Sequence, residues 1–362
     1  VLYHEAEEAL IARRDEAMGS DGKLLDGADG SVYKVNLLEK LLVPVLVKLG
    51  NFVPGGGIWM NTQRPEWNDP NNALLGYGLS MVTLCYLRRF MVLLADILNE
   101  SKTENFRVSS EVSGFLTSID QVLKEHRSML KDDVGAAERK SFMDVLGSVA
   151  EIYRDKAYSG FSGEQSIVRK SELVRFIGLV LNYCDHSIGC NRRSDGLFHS
   201  YNLVHFASDG YELGRLDEML EGQVAVLSSG CLDPQQSLDL LKSLRVSKLY
   251  RSDQNSYILY PDRVQTRFME KNDIERALVE ANEWIRRELK SGRRDFVEQD
   301  VDGEIHFNAR FRNAGELAVA LSHHEEISEE AALALCKVYE DVFGHRRFTG
   351  RSGSMFKYEG LG

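Results

Sequence analysis

A dense group of aromatic, amide and acidic side chains follows a glycine triplet at residues 55–57 of this 362-residue chain. The members of the group are Trp59, Arg64, Glu66, Trp67, Asn68, Asp69 and Asn72. Flat aromatic rings pack on pyranose rings, amides and carboxylates hydrogen-bond to sugar hydroxyls, and a carboxylic acid can protonate a glycosidic oxygen. These residue types therefore predict a sugar-binding site in which Asp69 is the general acid, with Glu66 as its substitute.

A long apolar helix is predicted directly after this group. Pro70 suits the first position of a helix, because its φ is already helical and its missing N–H would have no partner there. The pattern predicts a helix from residue 71 to about residue 99, with Asp69 at its N-terminus. A simpler role for Asp69 stays open, since a pure helix cap is stabilised as the anion and its pKa is lowered, whereas a general acid needs the opposite.

The composition is that of a globular protein that handles uncharged ligands. Hydrophobic residues make up 43% of the chain and charged residues 27%, which is enough for a sizeable core. The net charge of -11 argues against a nucleic-acid partner, because phosphate backbones need clustered cations. The five cysteines lack a zinc-binding pattern, so we expect no metal or other cofactor and a reducing, cytoplasmic compartment.

The two ends of the chain also carry information. No signal peptide opens it, and no uncharged apolar stretch is long enough to span a membrane, so no membrane partner is expected. The chain begins at Val1 without a methionine and stops at Gly362 just after a glycine-rich loop. We therefore expect a fragment of a longer protein.

Most of the chain has the three-and-four spacing of amphipathic helices, as in the helix predicted over residues 106–130 from Val112, Phe115, Leu116 and Ile119. More apolar and more charged helices alternate, which favours an inner and an outer layer. Alternation with period two around Asp302-Gly303 predicts one small β-hairpin within residues 297–308. We expect a mostly α fold: an incomplete (α/α)6 toroid-type helical barrel formed as a single domain by residues 1–362. A plain helical bundle or a solenoid would have the same periodicity.

The run Glu66-Trp67-Asn68-Asp69 resembles the Trp-Asn-Asp segment of glycosidases and glycoside phosphorylases that have an (α/α)6 barrel. This group includes cellobiose phosphorylase, trehalase and processing α-glucosidases. In the phosphorylases of the group the Asp of this segment is the general acid, which corresponds to Asp69. The chain differs from the group at Pro70, where a small residue is commoner, and it lacks the last barrel helix.

The resemblance also implies a second carboxylate. In the hydrolases of the group the base lies in a loop just before the last barrel helix, and Glu359 has a similar place in this sequence. A glycoside hydrolase with two carboxylates would use Asp69 to protonate the leaving oxygen and Glu359 to activate water or attack the sugar. A glutamate in a Tyr-Glu-Gly-Leu-Gly turn can equally be a solvated loop residue.

The loop of residues 346–353 favours a phosphorylase, or a transglycosylase that uses a sugar acceptor. Its arginines and flexible backbone N–H groups suit an oxyanion. Thr349-Gly350 is similar to a Thr-Gly pair that helps hold phosphate in cellobiose-phosphorylase-like enzymes, and Arg351 follows it. A solvated basic loop is the simpler interpretation. The expected partners are an oligosaccharide or glycoside substrate and, for a phosphorylase, phosphate.

Polar residues elsewhere are further candidates for sugar binding. They are Tyr201, Asn202, Glu221, Arg251, Asp253, Gln254, Asn255 and Tyr257. All are natural partners of sugar hydroxyls, although a surface loop of normal polarity would hold the same residue types. A function of another class therefore also stays open, in which the chain is a non-catalytic domain that binds a glycan or a partner protein.

Overall fold

The computed structural model describes residues 5–25, 27, 31–60, 76–131, 133–261, 271–324 and 327–343. Of these residues 58% are helical, in 12 α-helices, which confirms the prediction of a mostly helical chain. They fall into two compact units, the first formed by residues up to 60 and from 76 to 259, the second by residues from 260 onward. No helix within these ranges is both long and apolar enough to cross a membrane.

Two-thirds of the described helices belong to the first unit. They are α1 (Glu5–Met18), α2 (Leu37–Leu49), α3 (Met81–Glu100), α4 (Ser110–Glu125), α5 (Ala136–Ser159), α6 (Lys170–Gly189), α7 (Leu220–Ser229) and α8 (Pro234–Val246). The strands of this unit are β1 (Phe52–Val53), β2 (Gly57–Trp59), β3 (Gly78–Ser80), β4 (Asn105–Ser109), β5 (Gln165–Arg169), β6 (Tyr201–Phe206), β7 (Tyr211–Arg215), β8 (Tyr250–Arg251) and β9 (Ser256–Tyr257).

Helix α3 supplies one of the most buried faces of the first unit. Leu84, Met91 and Leu94 are at most 1% exposed, and their three-and-four spacing puts them on one side of the helix. The Ser80 hydroxyl caps the helix by accepting a hydrogen bond from the Thr83 N–H at 3.0 Å. The predicted start near residue 71 is therefore wrong, because residues 78–80 are extended and pair with β2 and β6 on their two sides.

The sheet that contains β3 has five antiparallel strands in the order β1-β2-β3-β6-β7. One row of side chains crosses it, with Trp59 opposite Leu79, Leu79 opposite Asn202 and Asn202 opposite Arg215. The expectation of a single hairpin is therefore wrong, because the described residues form four sheets. β1, β2 and β3 have only two or three residues each, which is too few to show period two, and the pairing of β3 with β6 depends on residues far apart in sequence.

A strand also replaces the start of the helix expected over residues 106–130. Residues 105–109 form β4, which pairs along its whole length with β5. Helix α4 begins only after this ladder, and its buried residues Val112, Phe115, Ile119 and Leu123 keep the predicted helical spacing. The prediction identified the helix correctly and placed its start a few residues too early.

The second unit is a small helical layer around a hairpin. Its described elements are α9 (Arg276–Ala281), α10 (Glu283–Ser291), β10 (Val297–Gln299), β11 (Ile305–Phe307), α11 (Ala314–Ser322) and α12 (Glu329–Phe343). Ile285, Leu317 and Leu335 are fully buried in its core. β10 and β11 pair antiparallel, which confirms the hairpin predicted around Asp302-Gly303. The sixfold toroid stays a prediction.

Candidate functional site

Most of the residues predicted to act on a sugar lie outside the described ranges. They are Arg64, Glu66, Trp67, Asn68, Asp69, Asn72, Thr349, Arg351 and Glu359. Of the predicted residues, those that the structure describes are Trp59, Tyr201, Asn202, Glu221, Arg251, Asp253, Gln254, Asn255 and Tyr257. The structure therefore describes the part of the first unit that directly precedes and follows residues 61–75.

The two ends of this connection lie side by side at one end of β2 and β3. The Trp59 Nε1–H donates to the carbonyl oxygen of Gly76 at 3.1 Å, and the Met60 N–H donates to the carbonyl oxygen of Gly78 at 2.8 Å. Residues 61–75 therefore connect two neighbouring strands whose pairing brings the ends of the connection together. Trp59 is half-buried at this position.

The glycine triplet before β2 forms a tight turn against the backbone of the sheet. The Gly56 N–H donates to the Val53 carbonyl oxygen at 2.9 Å, and Gly57 has a φ of 119°. A Cβ atom on Gly57 would lie 2.8 Å from the carbonyl carbon and oxygen of Ser80, closer than real Cβ contacts. Gly57 is therefore needed both for its backbone conformation and for the close approach of β2 to β3.

Three buried side chains hold this turn through its backbone. The Gly55 N–H donates to the Ser187 hydroxyl at 3.1 Å, and the Asn191 amide donates to the Gly55 carbonyl oxygen at 2.9 Å. The Asn202 amide donates to the Gly56 carbonyl oxygen at 2.8 Å. Ser187, Asn191 and Asn202 are each at most 1% exposed. Because buried polar groups without partners are costly, these bonds specify one position for the turn.

Two guanidinium groups complete this polar framework. Arg139 of α5 donates to three backbone carbonyl oxygens, among them that of Pro54 at 3.0 Å. Arg215 of β7 donates to the Gly55 carbonyl oxygen at 3.1 Å and also to the side chain of Asn191. Burial lowers the pKa of both arginines, and the charge of Arg215 lowers the pKa of Arg139 further. Both stay charged, because the pKa of a guanidinium is very high, and both are occupied in holding the backbone.

The predicted contacts Tyr201 and Asn202 are placed inside the protein. Tyr201 is 2% exposed and Asn202 is fully buried, so neither side chain is open to a ligand in this structure. The Tyr201 hydroxyl donates to Glu221 Oε2 at 2.8 Å, which joins β6 to the first turn of α7. Asn202 is thus part of the framework and Tyr201 lies beside it in β6, where both stabilise the sheet on which Trp59 is placed.

The residues predicted to bind sugar between 251 and 257 form an exposed β-turn that joins β8 to β9. Arg251 forms an ion pair with Asp253 at 2.8 Å. The Asn255 side-chain oxygen accepts a hydrogen bond from the Tyr250 hydroxyl at 2.8 Å, and Asn255 has a φ of 50°, which Asn tolerates better than most residues. Many polar groups of this turn are therefore bonded to one another, as in an ordinary surface hairpin.

Four members of the polar framework carry no signal in the sequence that predicts their role: Arg139, Ser187, Asn191 and Arg215. These residues lie on α5, near the end of α6 and on β7, so no short motif contains them. A charged or amide residue in an amphipathic pattern is read as solvent-exposed. Only the tertiary structure buries Arg139, Ser187 and Asn191 and brings the guanidinium group of Arg215 to the same turn. The glycine triplet was the available signal, because a buried turn without side chains needs donors and acceptors from elsewhere.

The N-cap of α3 is Ser80, and Asp69, for which a role as a helix cap was the alternative, lies outside the described residues. In the described part of the chain, no group of three or more His, Cys, Asp or Glu side chains is placed to hold a metal ion.

Part of the chain matches a known family model. Residues 265–346 match the family model described as GH149 phosphorylase insertion domain 2. The matched range coincides closely with the second compact unit, which begins at residue 260. The match therefore supports a relationship to glycoside phosphorylases and a carbohydrate-active function. No curated protein matches the chain significantly.

Proposed function

We propose that the protein is a glycoside phosphorylase, an enzyme that cleaves a glycosidic bond with inorganic phosphate. The observation that carries this proposal is the match of residues 265–346 to an insertion domain of a phosphorylase family. The Trp-Asn-Asp run that ends at Asp69 and the pair Thr349-Gly350 are consistent with it. The proposal includes an (α/α)6-type arrangement of the helices.

In the proposed reaction Asp69 gives its proton to the oxygen of the leaving sugar while the bond from that oxygen to the anomeric carbon breaks. An oxygen of phosphate forms the new bond to the anomeric carbon, so the products are a sugar 1-phosphate and a shortened glycoside. The arginines of the 346–353 loop, with its backbone N–H groups, hold the phosphate by charge-assisted hydrogen bonds. Because phosphate is the nucleophile, Glu359 is not required as a base.

The buried framework of the first unit supports this proposal through positioning. A general acid must be held within a fraction of an ångström of the oxygen that it protonates. The framework fixes β2, and β2 with β3 fixes both ends of the 61–75 connection that carries Asp69. Glu66, Arg64, Trp67, Asn68 and Asn72 of the same connection, with Trp59 beside it, are the sugar contacts in this proposal.

The direct test is turnover with and without phosphate. The purified protein is incubated with a panel of gluco-oligosaccharides that differ in linkage, and sugar 1-phosphate and free reducing sugar are measured separately. We expect sugar 1-phosphate to form only when phosphate is present. Release of reducing sugar at the same rate without phosphate would instead identify a hydrolase.

Two carboxylate variants separate the remaining alternatives. We expect Asp69→Asn to lower the rate of phosphorolysis by about 10²- to 10⁴-fold, the usual contribution of a general acid, while glycan binding is kept. We expect Glu359→Gln to leave phosphorolysis largely intact. Loss of all turnover in Glu359→Gln, with no effect of phosphate on the wild type, would support two-carboxylate hydrolysis. Glycan binding without turnover by any variant, the wild type included, would indicate a non-catalytic domain.

A further inference from the structure

Four aromatic side chains meet at the end of the five-stranded sheet, and we call this cluster the aromatic platform: Trp59, Tyr77, Phe206 and Tyr211. Phe206, the last residue of β6, is at its centre. Its ring centroid lies 4.9 Å from that of Tyr211, 5.7 Å from that of Trp59 and 6.4 Å from that of Tyr77. All four residues belong to the first unit.

The platform is the exposed continuation of a buried patch. On the same side of the sheet, Val53, Leu79 and Val204 are fully buried, and Trp59 and Tyr211 pack against them. Phe206 is 45% exposed and Tyr77 is 52% exposed. Exposing this much apolar ring surface to water costs free energy. Contiguous exposed apolar patches commonly mark binding sites.

Polar groups border the platform on the side of α5. The Tyr211 hydroxyl donates to Asp144 Oδ1 at 2.9 Å, and Asp144 also pairs with Lys140 at 2.5 Å. The Lys140 ammonium lies 5.3 Å from the centre of the Tyr211 ring. Aromatic faces are thus combined with a carboxylate, an ammonium group and a phenol, all of which can exchange hydrogen bonds with hydroxyl groups.

We propose that the aromatic platform is a subsite that binds pyranose rings of an oligosaccharide substrate. This proposal rests on the proposed function, and it specifies the surface on which the longer substrates are bound. Flat rings suit the apolar face of a pyranose, and the carboxylate, ammonium group and phenol at their border can exchange hydrogen bonds with its hydroxyls. The location of the platform is also consistent with this role, because Trp59 and Tyr77 lie next to the two ends of the 61–75 connection, which carries Asp69.

The test compares oligosaccharides of increasing length on matched variants. Phe206→Ala removes the central ring, and Phe206→Leu keeps most of its apolar volume but not its flat face. Tyr77→Ala removes the most exposed ring. Tyr158→Ala is the control, because Tyr158 is 70% exposed on α5 and lies outside the platform. Binding is measured by calorimetry, and KM and kcat are measured with disaccharide, trisaccharide and hexasaccharide members of the same series.

We expect Phe206→Ala and Phe206→Leu to weaken hexasaccharide binding and raise its KM by about threefold to tenfold, the range expected for one aromatic contact. The KM for disaccharide and phosphate, and kcat, should stay as in the wild type, and Tyr158→Ala should match the wild type throughout. A length-dependent loss of binding in a protein without phosphate-dependent turnover would support the platform and refute the phosphorylase.

Three outcomes would overturn the platform. The first is unchanged binding of every oligosaccharide by the two Phe206 variants in an active phosphorylase, which would leave the proposed function intact. The second is an equal loss for short and long substrates, since that would indicate a structural effect. The third is a change in oligomeric state without any change in glycan binding, because the cluster would then be an interface between copies of the chain.

Discussion

The substitution Gly57→Ala tests whether the glycine turn positions the site. The added methyl group would lie 2.8 Å from the carbonyl carbon and oxygen of Ser80 and 3.1 Å from the Met81 nitrogen. All three are backbone atoms, so no side chain can rotate away, and β2 must move from β3. An unfavourable φ costs about 1–3 kcal/mol and forced overpacking costs about 1–3 kcal/mol. We expect the first unit to lose the sum of these two terms, about 2–6 kcal/mol.

Two glycines of the same unit serve as matched controls. Gly55 has a φ of 71° and a Cβ there would meet nothing closer than 3.8 Å, while Gly160 has a φ of 89° with open space around it. Each of the substitutions Gly55→Ala and Gly160→Ala should therefore cost only the conformational term, about 1–3 kcal/mol.

Hydrogen exchange, measured peptide by peptide, reports opening of the first unit separately from the second. We expect Gly57→Ala to speed exchange across β2, β3 and α3 far more than either control does. We also expect it to lose phosphorolysis, because the 61–75 connection begins from a displaced strand. If Gly57→Ala and Gly55→Ala were equally stable, the proposed steric role of the turn would be refuted.

Two further predictions concern buried carboxylates. Burial raises the pKa of Glu288, and the Asp295 charge adds to this effect. The folded second unit therefore gains stability as the pH falls from neutrality. Glu288→Gln should stabilise the second unit at neutral pH and make its stability depend less on pH, which hydrogen exchange of α10 measures. Burial also raises the pKa of Asp120, but hydrogen bonds from Arg175 and Lys124 outweigh burial and lower it overall. The stability from this pair is therefore present at neutral pH and lost as the pH falls through that lowered pKa. Asp120→Asn should cost the first unit about 1–2 kcal/mol at neutral pH. Denaturant unfolding should show a smaller loss of stability in acid. Equal losses at both pH values would contradict this prediction.

Helix content and the hairpin of the second unit could be predicted from the sequence because their determinants are local. The spacing of Val112, Phe115 and Ile119 puts an apolar stripe on one side of α4 whatever it packs against. Asp302-Gly303 specifies a turn within a few residues, and the structure has Gly303 at a φ of 89°. In both cases the residues that decide the structure are near neighbours in the chain.

Helix starts were less predictable, because a strand can occupy a segment whose composition also suits a helix. Residues 78–80 carry no charged side chain and adjoin α3, so the pattern extended the helix through them. Their backbone groups pair instead with β2 and with β6, about 120 residues away in the sequence. Pairing on both sides outweighs local helix propensity, and only the assembled sheet makes it available.

The amino-acid sequence by itself determined a mostly helical chain, because amphipathic spacing is read within a few consecutive residues, and its Trp-Asn-Asp run predicts a carbohydrate-related chemistry. The tertiary structure decided which polar groups hold the glycine turn: the buried Arg139 and Asn191 and the more exposed Arg215 come to it from separate parts of the chain. It also decided that four aromatic rings from separate parts of the chain share one exposed surface. Both depend on long-range pairing of strands, since burial and proximity are properties of the folded chain that no local pattern contains.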